Sequence, residues 1–147
     1  KSDLLAALFE GVKTMNYYIS DDKDKIQIDK VVEMLNKTYW AATRPRKVIE
    51  ESIKNSVCYG VYERDNNHII GFARVITDYA TTYYLCDVII DESYRGNGIG
   101  KALLKKIVSD PRYVGLRALF LTKDAHNFYR QFGFQEEPSR FMWKINE

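Results

Sequence analysis

Residues 84–108, YLCDVIIDESYRGNGIGKALLKKIV, contain the pattern that decides the fold. An apolar run ends at Ile90, glycines follow at positions 96, 98 and 100, and apolar residues then recur at helical spacing. Glycine has no Cβ and reaches positive φ angles, so a ligand can lie directly on the backbone of such a loop. A helix that begins there adds free N–H groups and the positive end of its dipole. The order of strand, glycine loop and helix therefore predicts a site for a phosphate or pyrophosphate.

Two common phosphate-binding motifs do not fit this loop. Walker A needs Ser or Thr after its lysine, but Ala102 follows Lys101. The dinucleotide fingerprint needs a third glycine, and that position would fall on Lys101 or Leu103. The alternative interpretation is a tight strand-to-helix turn whose glycines serve packing alone.

The composition is that of one soluble globular domain. The chain has 147 residues, of which 46% are hydrophobic and 29% charged. We expect this domain at residues 15–147, with residues 1–14 as an extension or leader ahead of Met15. A net charge of +2 gives no reason to expect nucleic acid or a membrane as a partner. The two cysteines, Cys58 and Cys86, lie in apolar stretches without metal-ligand spacing, so we expect buried thiols, no metal and a cytoplasmic location.

Hydrophobic periodicity predicts a mixed α/β sheet with helices on both faces. The three middle strands should form an antiparallel meander, and a right-handed crossover through the glycine-loop helix should make the next strand parallel. Asp29 is a candidate cap for the first helix, and Pro45 should lie near the first turn of the second. The predicted helices are 29–39, 43–56, 99–108 and 124–134, and the predicted strands are 16–20, 57–63, 69–77, 81–90, 116–122 and 140–145.

Two segments resemble the motifs of one family. Residues 95–100, RGNGIG, match the [Q/R]-x-x-G-x-[G/A] motif of the GNAT superfamily of N-acetyltransferases, and residues 125–134, AHNFYRQFGF, match its A-x-x-x-Y-x-x-x-G-F pattern. The predicted element order is also that family's, so the resemblance covers residues 16–145. It implies acetyl-CoA bound between splayed fourth and fifth strands, with direct transfer of acetyl to a primary amine. The acceptor would be a small molecule or polyamine, with a protein amine as the alternative acceptor. The alternative function is that of a non-catalytic acyl-CoA sensor.

The resemblance also implies roles for individual residues. Tyr129 would be the general acid toward the CoA thiolate, although Thr122 stands where many members have Asn. The backbone of Val88, Ile89 and Ile90 would pair with the pantetheine arm. The loop residues that would hold the pyrophosphate are Arg95, Gly96, Asn97, Gly98, Ile99, Gly100 and Lys101.

Asp87 interrupts an apolar strand and is the candidate for binding or deprotonating the amine. A similar acidic stretch precedes the glycine motif in spermidine/spermine acetyltransferases. The competing interpretation is a structural carboxylate paired with Arg74 or Arg117. A thiol intermediate at Cys86 is not favoured, because no histidine accompanies it.

The acceptor site is expected beside the join of the first two helices. Its predicted lining residues are Trp40, Arg44, Arg46, Tyr79, Tyr83 and Tyr84. The predicted partners are acetyl-CoA and the amine, with a homodimer as one option.

Overall fold

The computed structural model describes residues 15–145. The extension or leader predicted for residues 1–14 lies outside them. The described residues form five strands and four α-helices, joined by short 3₁₀ turns and loops. The strands are β1 Tyr17–Ser20, β2 Val57–Glu63, β3 Ile69–Thr77, β4 Thr82–Ile90 and β5 Arg117–Leu119, and the helices are α1 Ile28–Asn36, α2 Arg46–Lys54, α3 Ile99–Val108 and α4 His126–Arg130.

The strands form one mixed sheet in the order β1-β2-β3-β4-β5. The first four strands are antiparallel to their neighbours, and β5 is parallel to β4. Two apolar clusters cover the two faces: one includes Leu103 and Leu104 of α3, and the other includes Leu35 of α1 and Ile49 of α2. The predicted fold class is therefore confirmed.

β4 and β5 pair over only three residues, Thr82–Tyr84 with 117–119. A β-bulge then bends β4, because Phe72 pairs with Ile89 but Arg74 pairs with Cys86, which leaves one extra residue on β4. Beyond the bulge, no strand among residues 15–145 pairs with β4 on its β5 side. The second half of β4 therefore has an open edge on that side.

The structure corrects several predicted boundaries. The strand predicted at 140–145 is wrong: the segment is irregular, and Trp143 is exposed. Its residues alternate suitably, but a strand needs a partner, and the strand predicted at 116–122 pairs only over 117–119. Helix α1 starts at Ile28, with Gln27 at the cap position, so Asp29 lies inside the first turn. Pro45 is the cap residue of α2 and lies next to its first turn, as predicted.

Candidate active site

The glycine loop connects β4 to α3 and leaves open space above its backbone. Gly96 and Gly98 have φ angles of 78° and 74°, in the left-handed region that favours glycine. A Cβ placed on either would meet no described atom within 4 Å. The Asn97 amide donates hydrogen bonds to the carbonyls of Tyr94 (3.0 Å) and Arg95 (3.2 Å), which hold the loop in this shape.

The first turn of α3 supplies backbone donors next to this space. The N–H of Ala102 donates to the carbonyl of Gly98 at 3.1 Å. The N–H groups of residues 99–101 precede it and therefore have no acceptor within the helix. Gly98 has no side chain to cap them, and the helix dipole adds positive potential there. An anion with several acceptor oxygens fits this arrangement.

The loop, the end of β4 and helix α4 meet at Gly100. A Cβ on Gly100 would lie 3.6 Å from Cζ of Phe128 and 3.8 Å from Cγ1 of Ile90. The Arg95 Nε donates to the carbonyl of Ile90 at 3.0 Å, so this guanidinium is turned back onto β4. Val88, Ile89 and Ile90 thus lie directly before the loop, on the open edge of β4.

Tyr129 lies on α4, within the cluster on the α3 face of the sheet. Its ring is buried, with its centroid 3.9 Å from that of Phe120 and 5.1 Å from that of Phe128. Burial raises the pKa of Tyr129 to about 12, so the phenol stays protonated at neutral pH. The Thr122 hydroxyl accepts from the N–H of Ala125 at 3.1 Å, so this residue holds the start of α4 in place.

A depression of about 620 Å³ lies beside Tyr129, between β5, α4 and the segment from Phe134 to Phe141. No residue of β4 or of the glycine loop lines it. It is therefore separate from the open edge of β4.

Asp87 is the extra residue of the β4 bulge and lies among two arginines. Its backbone has a φ of 53°, and its side chain is only 3% exposed. Arg44 Nη1 donates to both carboxylate oxygens at 3.0 and 2.9 Å, and Arg74 Nε donates to one of them at 2.8 Å. Ser56 accepts from Arg74 Nη1 at 3.0 Å. The structure therefore contains the predicted pair with Arg74.

The predicted pair of Asp87 with Arg117 is not formed. Arg117 is exposed at the start of β5 and makes no ion pair within residues 15–145. Sequence reasoning placed Arg44 at the acceptor site but missed its contact with Asp87. It also missed Ser56, and the only available signal was that a buried carboxylate needs partners.

The other predicted acceptor residues do not all come together. Trp40 is 44% exposed and stands edge-on to Tyr39, while Lys123 Nζ lies 5.6 Å from the Tyr39 ring. The loop after α1 therefore contacts the loop before α4. In contrast, Tyr83 is buried in the core, where its ring stacks on Tyr113 at 4.9 Å.

Three further predicted side chains lie apart from this contact. Arg46 is at the surface, paired with Asp29 and Glu50. Tyr79 is exposed after β3, and Tyr84 is partly buried on β4.

Cys86 is not prepared to act as a nucleophile. Burial raises the pKa of its thiol to about 12, so the thiolate is scarce at neutral pH. Its Sγ donates weakly to the carbonyl of Arg74 at 3.5 Å. The expectation of a buried thiol holds for Cys58, whereas Cys86 is partly buried.

A sequence model of the acetyltransferase (GNAT) family matches residues 28–134. The chain belongs to the GNAT family of acetyltransferases. This match includes the glycine loop, Asp87, and the segment from Ala125 to Phe134 that contains Tyr129.

Individual GNAT relatives agree with this family assignment. The N-acetyltransferase ycf52 from Gracilaria tenuistipitata var. liui is 30% identical over 92% of this chain and 76% of its own length. A histone acetyltransferase from Glycine max is 27% identical over 85% of the chain and 59% of its own length. A chloroplastic GCN5-related N-acetyltransferase from Arabidopsis thaliana is 32% identical over 74% of the chain and 43% of its own length. The chain therefore spans only about half of some curated relatives that it matches.

A solved GNAT structure shows the same fold. The GNAT-family protein from Xanthomonas campestris pv. campestris is 32% identical and superposes with a TM-score of 0.84, covering 89% of this chain and 94% of that one. Over residues 15–145, no helix is long and apolar enough to cross a membrane. In the same range, no cluster of three or more His, Cys, Asp or Glu side chains could hold a metal ion.

Proposed function

We propose that this chain transfers the acetyl group of acetyl-CoA to a primary amine. The observation that carries the proposal is the open edge of β4 at residues 88–90, which leads directly into a loop with left-handed glycines and free N–H groups. The edge suits an extended pantetheine arm, which can pair with it as an added strand. The loop suits a pyrophosphate, because bare backbone and a helix start are offered together.

Each step of the transfer has a candidate group in this chain. The thioester of acetyl-CoA supplies the activated acetyl group when it is bound. A backbone N–H on the β4 edge stabilises the carbonyl oxygen as the amine nitrogen attacks the carbonyl carbon. When the C–S bond breaks, Tyr129 gives its proton to the departing sulfur, and the proton that the amine loses restores Tyr129 through solvent. The products are an N-acetylated amine and the CoA thiol.

We assign Asp87 to positioning rather than to proton removal. Both carboxylate oxygens already accept hydrogen bonds from guanidinium groups, and the side chain is only 3% exposed, which leaves little access for an amine. Its bonds fix the side chains of Arg44 and Arg74 beside the edge of β4. The charged side chains of this cluster are therefore one anion and two cations.

A protein amine is the second candidate acceptor. Trp40 and Tyr39 are exposed at the rim of the predicted acceptor site, and one relative is named a histone acetyltransferase. A cytoplasmic location remains our prediction, and the name of the Arabidopsis relative makes a plastid the second candidate.

Calorimetric titration with acetyl-CoA tests the cofactor site. We expect micromolar binding to the wild type and at least tenfold weaker binding to Gly98→Asp, because the added carboxylate repels the pyrophosphate. Gly98→Asn has the same shape without the charge, and Asn and Asp both tolerate a left-handed φ. It should therefore bind better than Gly98→Asp.

Gly115→Asp is the matched control for backbone strain. Gly115 has a φ of 78° and open space around a Cβ, but it lies before β5, away from the glycine loop. This variant should bind acetyl-CoA like the wild type. A wild type that does not bind, or equal binding by the Asp and Asn variants at position 98, would overturn the proposal.

A further inference from the structure

We propose that the amine acceptor also carries an anionic group, a carboxylate or a phosphate, and that Arg44 binds it. This inference rests on the proposed acetyl transfer and names the class of substrate. The expected acceptor was polyamine-like and would carry further positive charges. The acceptor proposed here carries a negative group in addition to its amine.

The first argument is the unbalanced charge around Asp87. Arg44 and Arg74 both pair with this one carboxylate, which leaves a net charge of +1 on the three side chains. All three are largely withdrawn from water, with exposed fractions of 24% for Arg44, 12% for Arg74 and 3% for Asp87. No second carboxylate within residues 15–145 lies at ion-pair distance from either arginine. A partly desolvated excess charge is stabilised by a counter-anion.

The second argument is the set of donors that Arg44 leaves free. Both of its bonds to Asp87 come from Nη1. Its Nε and Nη2 have no hydrogen-bond partner in the described part of the chain. These two nitrogens form one side of the planar guanidinium, and their parallel N–H groups match the two oxygens of a carboxylate or phosphate. Arg74 is less available, because it donates from Nε to Asp87 and from Nη1 to Ser56.

The third argument is the position of Arg44 relative to the transferred group. Its partner Asp87 directly precedes Val88, the first residue of the edge proposed to hold the thioester. Trp40 lies four residues before Arg44 in the same loop and exposes part of its ring. An acceptor with its amine at the β4 edge can therefore reach Arg44 with an anionic group of the same small molecule. A polyamine would instead bring further positive charge to a positive site.

Pairs of amines that differ by one anionic group test this inference. The probes are phenylalanine with phenethylamine, and O-phosphoethanolamine with ethanolamine, with spermidine as the cationic reference; release of CoA thiol is measured. In at least one pair, we expect the member with the anionic group to have a kcat/KM at least tenfold above that of its partner without the group and above that of spermidine. The pair that responds distinguishes a carboxylate from a phosphate.

Variants of Arg44 connect that preference to the residue. Arg44→Gln should raise the KM for the acceptor with the anionic group at least tenfold, with little change in kcat or in the rate with the partner that lacks this group. Arg44→Lys keeps the positive charge but loses the paired N–H donors. Its KM should therefore lie between those of the wild type and Arg44→Gln. Arg117→Gln removes an exposed arginine from β5 and should behave like the wild type.

The results separate this inference from the proposed function. Binding of acetyl-CoA without acetylation of any probe that carries an anionic group would overturn the anionic acceptor alone. Equal use of the two members of each pair would do the same. An unchanged KM in Arg44→Gln would overturn the role of Arg44. Absence of acetyl-CoA binding to the wild type would instead overturn the proposed function.

Discussion

Asp87 combines three properties that rarely occur in one strand residue. It has a left-handed φ of 53°, it is buried, and it is charged. Aspartate tolerates this conformation better than the apolar residues around it. Two guanidinium groups compensate the buried charge. The same residue therefore forms the bulge that bends β4 and fixes the two arginines beside it.

Tyr129 gives the sharpest test at the level of one side chain. Tyr129→Phe should lower kcat roughly 10²–10⁴-fold, because the general acid is lost. The KM for acetyl-CoA and the melting temperature should change little, since the ring keeps its contacts with Phe120 and Phe128. Steady-state kinetics and thermal unfolding measure these effects.

The control for this variant is Tyr17→Phe, which removes a phenol hydroxyl from β1. It should leave turnover unchanged. With a pKa of about 12, Tyr129 should cause no loss of kcat below about pH 10. Unchanged turnover in Tyr129→Phe would remove the acid role.

At the level of elements, the sequence predicts what depends on local pattern. β4, the glycine loop and α3 are consecutive, and each has its own signal in residues 84–108. The strand predicted at 140–145 fails because its existence depends on a partner strand, which periodicity does not specify. The contact between Asp87 and Arg44 joins residues 43 positions apart, so no local pattern indicates it. The open edge of β4 followed only from the family resemblance.

Gly60 lies directly beside the ring of Tyr62 on the same strand, β2. A Cβ here would lie 2.5 Å from Cζ and 2.6 Å from Cε2 of Tyr62, a buried ring that stacks on Tyr18. Gly60→Ala should therefore lower the free energy of unfolding by about 1–3 kcal/mol, because the ring cannot move away without disturbing its neighbours. Urea unfolding measures the change.

A double mutant identifies the cause of that loss. In a Tyr62→Val background the obstructing ring is absent, so adding Gly60→Ala should cost almost nothing. An equal cost in both backgrounds would show that the ring is not the obstacle. This comparison separates steric conflict from any effect of alanine on the strand itself.

At the scale of the whole molecule, the two ends of α3 contribute to different parts of the structure, the glycine loop and a hydrogen-bond network. Its N-terminus borders the glycine loop, and its C-terminus leads to Asp110. The Asp110 carboxylate accepts hydrogen bonds from Tyr59 at 2.7 Å and from Arg112 at 2.6 and 2.9 Å. Arg112 also bonds Asp21 at 2.7 Å. This network joins β2, the turn after α3 and the segment after β1, so it stabilises the scaffold that carries the site.

Asp110 therefore predicts how stability depends on pH. The hydrogen bonds from Arg112 and Tyr59 hold the pKa of Asp110 well below its usual range. A lowered pKa in the folded state adds stability above the unfolded pKa of about 3.9 and loses it as the pH falls below that value. Asp110→Asn should lower the free energy of unfolding by about 1–3 kcal/mol at pH 7, since it weakens the bonds of a buried charge. Below about pH 4 the difference in free energy of unfolding between Asp110→Asn and the wild type should shrink.

Urea unfolding between pH 3 and pH 7, in steps of about one pH unit, measures this difference. The control is Asp65→Asn, which changes an exposed aspartate. A difference that stays constant with pH would show that the ionised carboxylate contributes nothing.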